Sequence, residues 1–91
     1  MKVTDIYFSS NFEEQFKKLP KKIKQKALKA ESLFRENPFH PSVRLHKLKG
    51  KFDGLWSISL DIRYRIIFEP QKDGEILFIS IGIHSIYERN A

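Results

Sequence analysis

The sequence predicts an α+β domain in which an N-terminal strand and an αα-hairpin precede a three-stranded antiparallel meander packed on the helices. Apolar residues keep a helical period between residues 10 and 36, and alternate with small and polar residues from Leu55 onward. Turn-forming residues separate the three later runs, "LWSISL", "RYRIIFEP" and "EILFISIGIH". With 91 residues, the stretch 1–91 is read as a single domain.

Val3 to Phe8 suits a short strand. Ser10-x-x-Glu13 has the form of a capping box, and Phe12, Phe16 and Leu19 then recur at helical spacing up to Pro20. Pro20 fits the first turn of a second helix, whose Ile23, Ala27, Ala30 and Phe34 form an apolar stripe among lysines. Asn37-Pro38 ends that helix. The basic segment "HPSVRLHKLKGKFDG" reads as loop, with Gly50 and Asp53-Gly54 as turn signals, and Lys72-Asp73-Gly74 marks the hairpin between the last two strands.

Strand parity separates two faces. Trp56, Ile58 and Leu60 share one, and Tyr64, Ile66 and Phe68 share it given an odd-length turn or a bulge around Asp61 to Arg63. Leu77, Ile79, Ile81 and Ile83 form a third apolar row on this face, which is expected to meet the helices. The other face shows Ser57, Ser59, Arg65, Arg63, Ser80, Gly82 and His84. Ile67, Ile76 and Phe78 stand at its far end, an apolar remnant available to a partner or a dimer; the oligomeric state is open.

Composition narrows the function. The chain has no Cys, so disulfides, thiol chemistry and thiolate zinc sites are excluded. Three His at spacings of six and thirty-eight make a weak metal signal. There is no phosphate-binding glycine loop and no G-x-S-x-G. No apolar run reaches the roughly 18 residues of a membrane span, and "MKVTDIYFSS" lacks a signal-peptide core, so a soluble cytoplasmic protein without a membrane partner is expected. The net charge of +6 is uneven: residues 43 to 65 carry six Lys/Arg against two Asp/Glu, whereas residues 66 to 91 carry two against four. Such an excess attracts polyanions, although lysines on helices are equally a solvated face.

The stretch "HKLKGKFDGLWSISLDIRYRIIF" followed by "ISIGIHSIY" resembles the RelE/ParE superfamily of toxins from type II toxin-antitoxin systems. The shared pattern is a helical hairpin, a Leu-Lys-Gly turn, an Arg-aromatic strand and a C-terminal strand ending in a basic or His residue and an aromatic one. "LHKLKG" and "IGIHS" are most similar to the His-containing YafQ-like members. The resemblance implies an endoribonuclease, an mRNA interferase that cuts mRNA in the ribosome, and a cognate antitoxin as partner. It assigns cleavage to His46, Arg65 and His84, and the C-terminal aromatic to Tyr87, which follows His84 by three residues where that branch commonly has four.

The chemistry fits without the family. Metal-independent RNA cleavage needs a base for the attacking 2′-hydroxyl, an acid for the leaving 5′-oxygen and cations for the charged phosphorane. Imidazole suits both proton roles. Arg65 offers a planar fork to the phosphate, Lys49, Arg63 and Arg44 add cations, and Tyr87 or Tyr64 can stack on a splayed base. No cofactor is required. The plainer readings are that His46 is an exposed loop residue, that His40 only fills a loop, and that Arg65 closes an ion pair with Asp61, Glu69 or Glu88. As whole-protein alternatives, a ParE-like relative binds DNA gyrase without RNase activity, or the domain is an inactive basic binding module.

Overall fold

The computed structural model describes residues 1–83; His84 and Tyr87 lie outside them. Strand β1 (Asp5–Phe8) leads into helices α1 (Ser10–Lys17) and α2 (Lys21–Glu36), followed by β2 (His46–Lys47), β3 (Trp56–Ser59), β4 (Tyr64–Pro70) and β5 (Glu75–Ile83). The strands form one sheet in the order β1-β5-β4-β3-β2, antiparallel throughout except that β1 runs parallel to β5. The α+β architecture expected from the sequence is the one observed.

The helices bury the apolar stripe read from their spacing. Phe12, Ile23, Ala27, Ala30 and Phe34 are all buried, and Phe34 packs on Phe68 and Phe78 with ring centroids 4.9 and 6.1 Å apart. Aromatic contacts of this kind add to the free energy of burying the rings. Ile58, Ile66, Phe68, Ile76, Phe78 and Ile81 complete the core from the sheet.

Two local details differ from the sequence reading. The cap of α1 is Ser9, whose Oγ accepts from the Phe12 amide at 3.0 Å and donates to the Ile79 carbonyl at 2.8 Å; Ser10 is the first helical residue. A cap that also reaches the sheet satisfies two backbone groups at once, so it wins over the box one residue later. The second difference is a register shift in β5. Ile67 pairs with Ser80 but Phe68 with Phe78, which leaves Ile79 as an extra residue.

That bulge reverses parity along β5. Ile76 and Phe78, expected on the far side as an apolar remnant, are each 1% exposed on the helix side, and Leu77 and Ile79 leave the apolar row. The remnant therefore does not exist. At the bulge β1 ends, and α1 takes over the edge of β5: Asn11 and Ser9 donate to the Ile79 carbonyl, and Gln15 Oε1 accepts from the Ile81 amide at 2.9 Å. An edge that would otherwise offer unpaired backbone groups is thereby closed.

Turn chemistry follows the glycines. Gly74 has φ +84° and follows Asp73 at φ +57°, and a Cβ on Gly74 would stand 2.8 Å from the Lys2 carbonyl, so the hairpin and the passing N-terminal segment both require glycine.

Candidate functional site

Residues 61–63 make the odd-length turn that parity requires: the Leu60 amide donates to the Tyr64 carbonyl at 2.9 Å, and Trp56 then pairs with Phe68, Ile58 with Ile66 and Ser59 with Arg65. The turn is held by Asp61. Its Oδ1 accepts from the Arg63 and Tyr64 amides, both at 2.8 Å, its Oδ2 accepts from Lys26 Nζ of α2 at 2.8 Å, and its carbonyl accepts from Ser59 Oγ at 2.7 Å. The Lys26 hydrogen bond, helped by the two amides, holds the Asp61 carboxyl below the usual carboxylate range despite some desolvation.

Two rows of side chains cross the face turned away from the helices. One runs His46, Ser57, Ile67, Ser80 over β2 to β5; the next runs Ser59, Arg65, Gly82. Ser57 is fully buried, and Ser59 and Ile67 are each 5% exposed. His46, Arg63, Lys49 and Arg44 are exposed, and Arg65 is half-buried.

His46 is not a loop residue. It lies in the two-residue strand β2 at the sheet edge, paired with Ser57, and this placement comes from a segment the sequence marks only as basic and turn-rich. Its neighbour Lys47 faces the other way, with Nζ 6.0 Å from the Trp56 ring centroid. With neighbouring strands about 4.8 Å apart and residues about 3.4 Å along each, the Cα atoms of His46 and Arg65 stand on the order of 12 Å from each other. They share one face of the sheet without touching.

Arg65 pairs with no carboxylate among the described residues. Asp61 is taken by Lys26, and Glu69, four residues along β4, bonds Gln71. Arg65 Nε and Ser57 Oγ are buried and without a hydrogen-bond partner among the described residues. Arg44 adopts a left-handed conformation, φ +50°, at the end of a short 3-10 turn, Pro41–Val43. That turn is capped by His40, whose Nδ1 accepts from the Ser42 amide at 3.1 Å, so His40 has a structural task. His84 and Tyr87 lie outside the described residues. Among those described, no three His, Cys, Asp or Glu gather as metal ligands. An apolar cavity of about 300 Å³ lies on the opposite side, lined by Phe8, Phe12, Phe16, Leu28 and Phe78.

Comparison with known proteins agrees with the fold. Residues 6–86 match the family model described as the ParE toxin of the type II toxin-antitoxin system parDE. No curated protein matches the chain in sequence. Among solved structures it is similar to a YoeB/ParE toxin from Agrobacterium tumefaciens, at 15% identity over 89% of this chain and 99% of that one, with TM-score 0.75. It is also similar to YafQ from Escherichia coli strain BL21(DE3), at 20% identity over 91% and 96%, with TM-score 0.75. A third likeness is to the YoeB-YefM complex from Staphylococcus aureus, at 22% identity over 92% and 99%, with TM-score 0.72. At these identities the likenesses establish the fold.

Proposed function

We propose that this chain, which belongs to the ParE toxin family of type II toxin-antitoxin systems within the RelE/ParE superfamily, is an endoribonuclease that cleaves mRNA and so inhibits translation. The observation that carries this reading is the placement of His46 and Arg65 on one face of the sheet, with Arg65 free of any carboxylate partner among the described residues. A binding module has no need of both an imidazole and a guanidinium on one sheet face. A phosphodiester has need of both.

In this mechanism an imidazole takes the proton of the 2′-hydroxyl, and that oxygen attacks the adjacent phosphorus. A second proton donor protonates the 5′-oxygen as the P–O bond breaks, leaving a 2′,3′-cyclic phosphate. His46 and His84 are the candidates for these two transfers, each typically worth 10²- to 10⁴-fold. Arg65 stabilises the charge that grows on the phosphorane, with Lys49, Arg63 and Arg44 drawing in the RNA backbone and Tyr87 stacking on a base. No cofactor takes part in these steps. The proton-transfer groups are few, so the ribosome supplies much of the substrate orientation. Action there places the protein in the cytoplasm, and no helix among the described residues is long and apolar enough to cross a membrane.

The partner proposed for the resting state is a cognate antitoxin, in keeping with the complexes of S. aureus YoeB with YefM and E. coli YafQ with DinJ. The test is RNA 3′-end mapping in a translating extract, comparing wild type with His46→Ala, His84→Ala and Arg65→Ala. New ends bearing 2′,3′-cyclic or 3′-phosphate, lost in the variants while ribosome binding persists, support the reading. If wild type produces no new ends, the RNase reading is overturned. The runner-up, favoured by the ParE description of the matching family model, is gyrase inhibition, and a supercoiling assay then decides it.

A further inference from the structure

We propose that the cavity between α2, the 3-10 turn at Pro41–Val43 and the end of β3 is a docking site for an acidic segment of a partner polypeptide, which inserts one aliphatic side chain and sets carboxylates against the lysines of α2. The cavity is lined by no residue assigned above to RNA cleavage or RNA binding. The inference rests on the toxin reading only for which polypeptide this is, the antitoxin; the site itself stands on its geometry and charge.

The cavity has a volume of about 320 Å³ and is open to solvent through exposed side chains. Of the residues that line it, Ala30 and Val43 are buried, Leu33 and Leu60 are half-buried, and Lys26 and Lys29 are exposed. Apolar surface therefore lies deep and charge lies outside, the anatomy of a socket for a single apolar anchor with a polar rim. A second observation points to the same place. Ile62, next to Asp61 of the lining, is 86% exposed, more than any other large apolar side chain among the described residues. Its turn is fixed by the Arg63 and Tyr64 amides, which donate to Asp61 Oδ1. One exposed apolar side chain is ordinary by itself, but beside a socket it enlarges the apolar contact a partner can make.

Charge selects an acidic partner. Lys22, Lys26 and Lys29 stand at i, i+4 and i+7 and so share one face of α2. Asp61 takes Lys26 at 2.8 Å, whereas Lys29 has no ion-pair partner among the described residues. A carboxylate brought to this rim meets a cation already in place. The walls then favour a polypeptide over RNA. No aromatic ring lines the cavity, while unpaired bases are held by stacking on aromatic rings or arginine planes. Aliphatic walls accept a Leu or Ile side chain instead, and the Asp61 carboxylate opposes a phosphate.

The experiment selects a displayed random-peptide library against the full chain, then measures the enriched peptides by calorimetry and by amide chemical shifts. The expected result is peptides with Leu or Ile next to Asp or Glu, and shifts centred on Lys29, Leu33, Val43 and Leu60. Their affinity is expected to fall roughly ten-fold or more in Lys29→Glu, and measurably in Ile62→Ser. Both substitutions change exposed side chains, so melting temperatures should match wild type. No enrichment, enriched peptides without acidic residues, or affinities unchanged in Lys29→Glu would each overturn the proposal. So would shifts centred on Phe8, Phe12 and Leu28, or oligouridylate shifting Lys29 and Leu60 in place of the peptides. If wild type cuts no RNA yet acidic peptides dock here, the docking site stands and the RNase reading falls. If RNA is cut and no peptide docks, the docking site falls alone.

Discussion

Asp61 accepts from two amides of its own turn and from Lys26 of α2, so one carboxylate fixes the segment that presents both Arg63 and Arg65. Removing its oxygens by Asp61→Ala is expected to cost roughly 1–2 kcal/mol in urea unfolding, most of it from the two stranded amides. The ion pair adds little, because the Lys26 side chain is 49% exposed. Asp61→Asn keeps Oδ1 as an acceptor and is expected to lose less than half of that. The pH dependence has a definite sign. With its folded pKa lowered, Asp61 contributes stability that is present above the unfolded carboxylate range and is lost as pH falls through the folded value. The stability gap between wild type and Asp61→Asn should therefore close on acidification from neutral pH. A gap that holds constant into acid would show that the charge of Asp61 does no work.

At the scale of elements, the α2 stripe was legible because Ile23, Ala27, Ala30 and Phe34 follow one helical period, and propensity, spacing and burial agree. The odd-length turn at 61–63 was legible for a similar reason: Trp56 to Phe68 cannot keep one apolar face without it. The bulge at Ile79 was not. In "EILFISIGI" apolar residues occupy both parities, so nothing local says where the alternation slips; the slip is imposed by α1, whose Ser9 and Asn11 bond the Ile79 carbonyl. His46 was missed as a strand residue because two residues carry no period. Two substitution pairs test these assignments. Ser9→Ala should cost about 1–2 kcal/mol and Ser10→Ala less than about 0.5, measured by thermal unfolding. Phe78→Ala should cost about 3–5 kcal/mol, and Leu77→Ala clearly less; equal losses would place the bulge elsewhere.

At the scale of the whole molecule, the sheet separates two sets of cations. Lys21 and Lys22 are exposed on α2, which packs through Phe34 on the side of the sheet opposite Arg65, whereas Lys49 and Arg63 are exposed in the segments that follow β2 and join β3 to β4. The domain measures 31 × 29 × 26 Å, and charge is screened over about 8 Å at physiological salt, so lysines across the molecule contribute little to a phosphate bound on the face that carries His46 and Arg65. The net charge of +6 alone does not distinguish these sets, since both attract a polyanion at long range in dilute salt. Counterion release does. Each phosphate contact to single-stranded RNA contributes about −0.7 to the slope of log K against log salt. Lys49→Gln combined with Arg63→Gln should make that slope shallower by about 1.4, while Lys21→Gln with Lys22→Gln leaves it unchanged. The opposite pattern would move RNA contact to the helices and away from the face that carries His46 and Arg65.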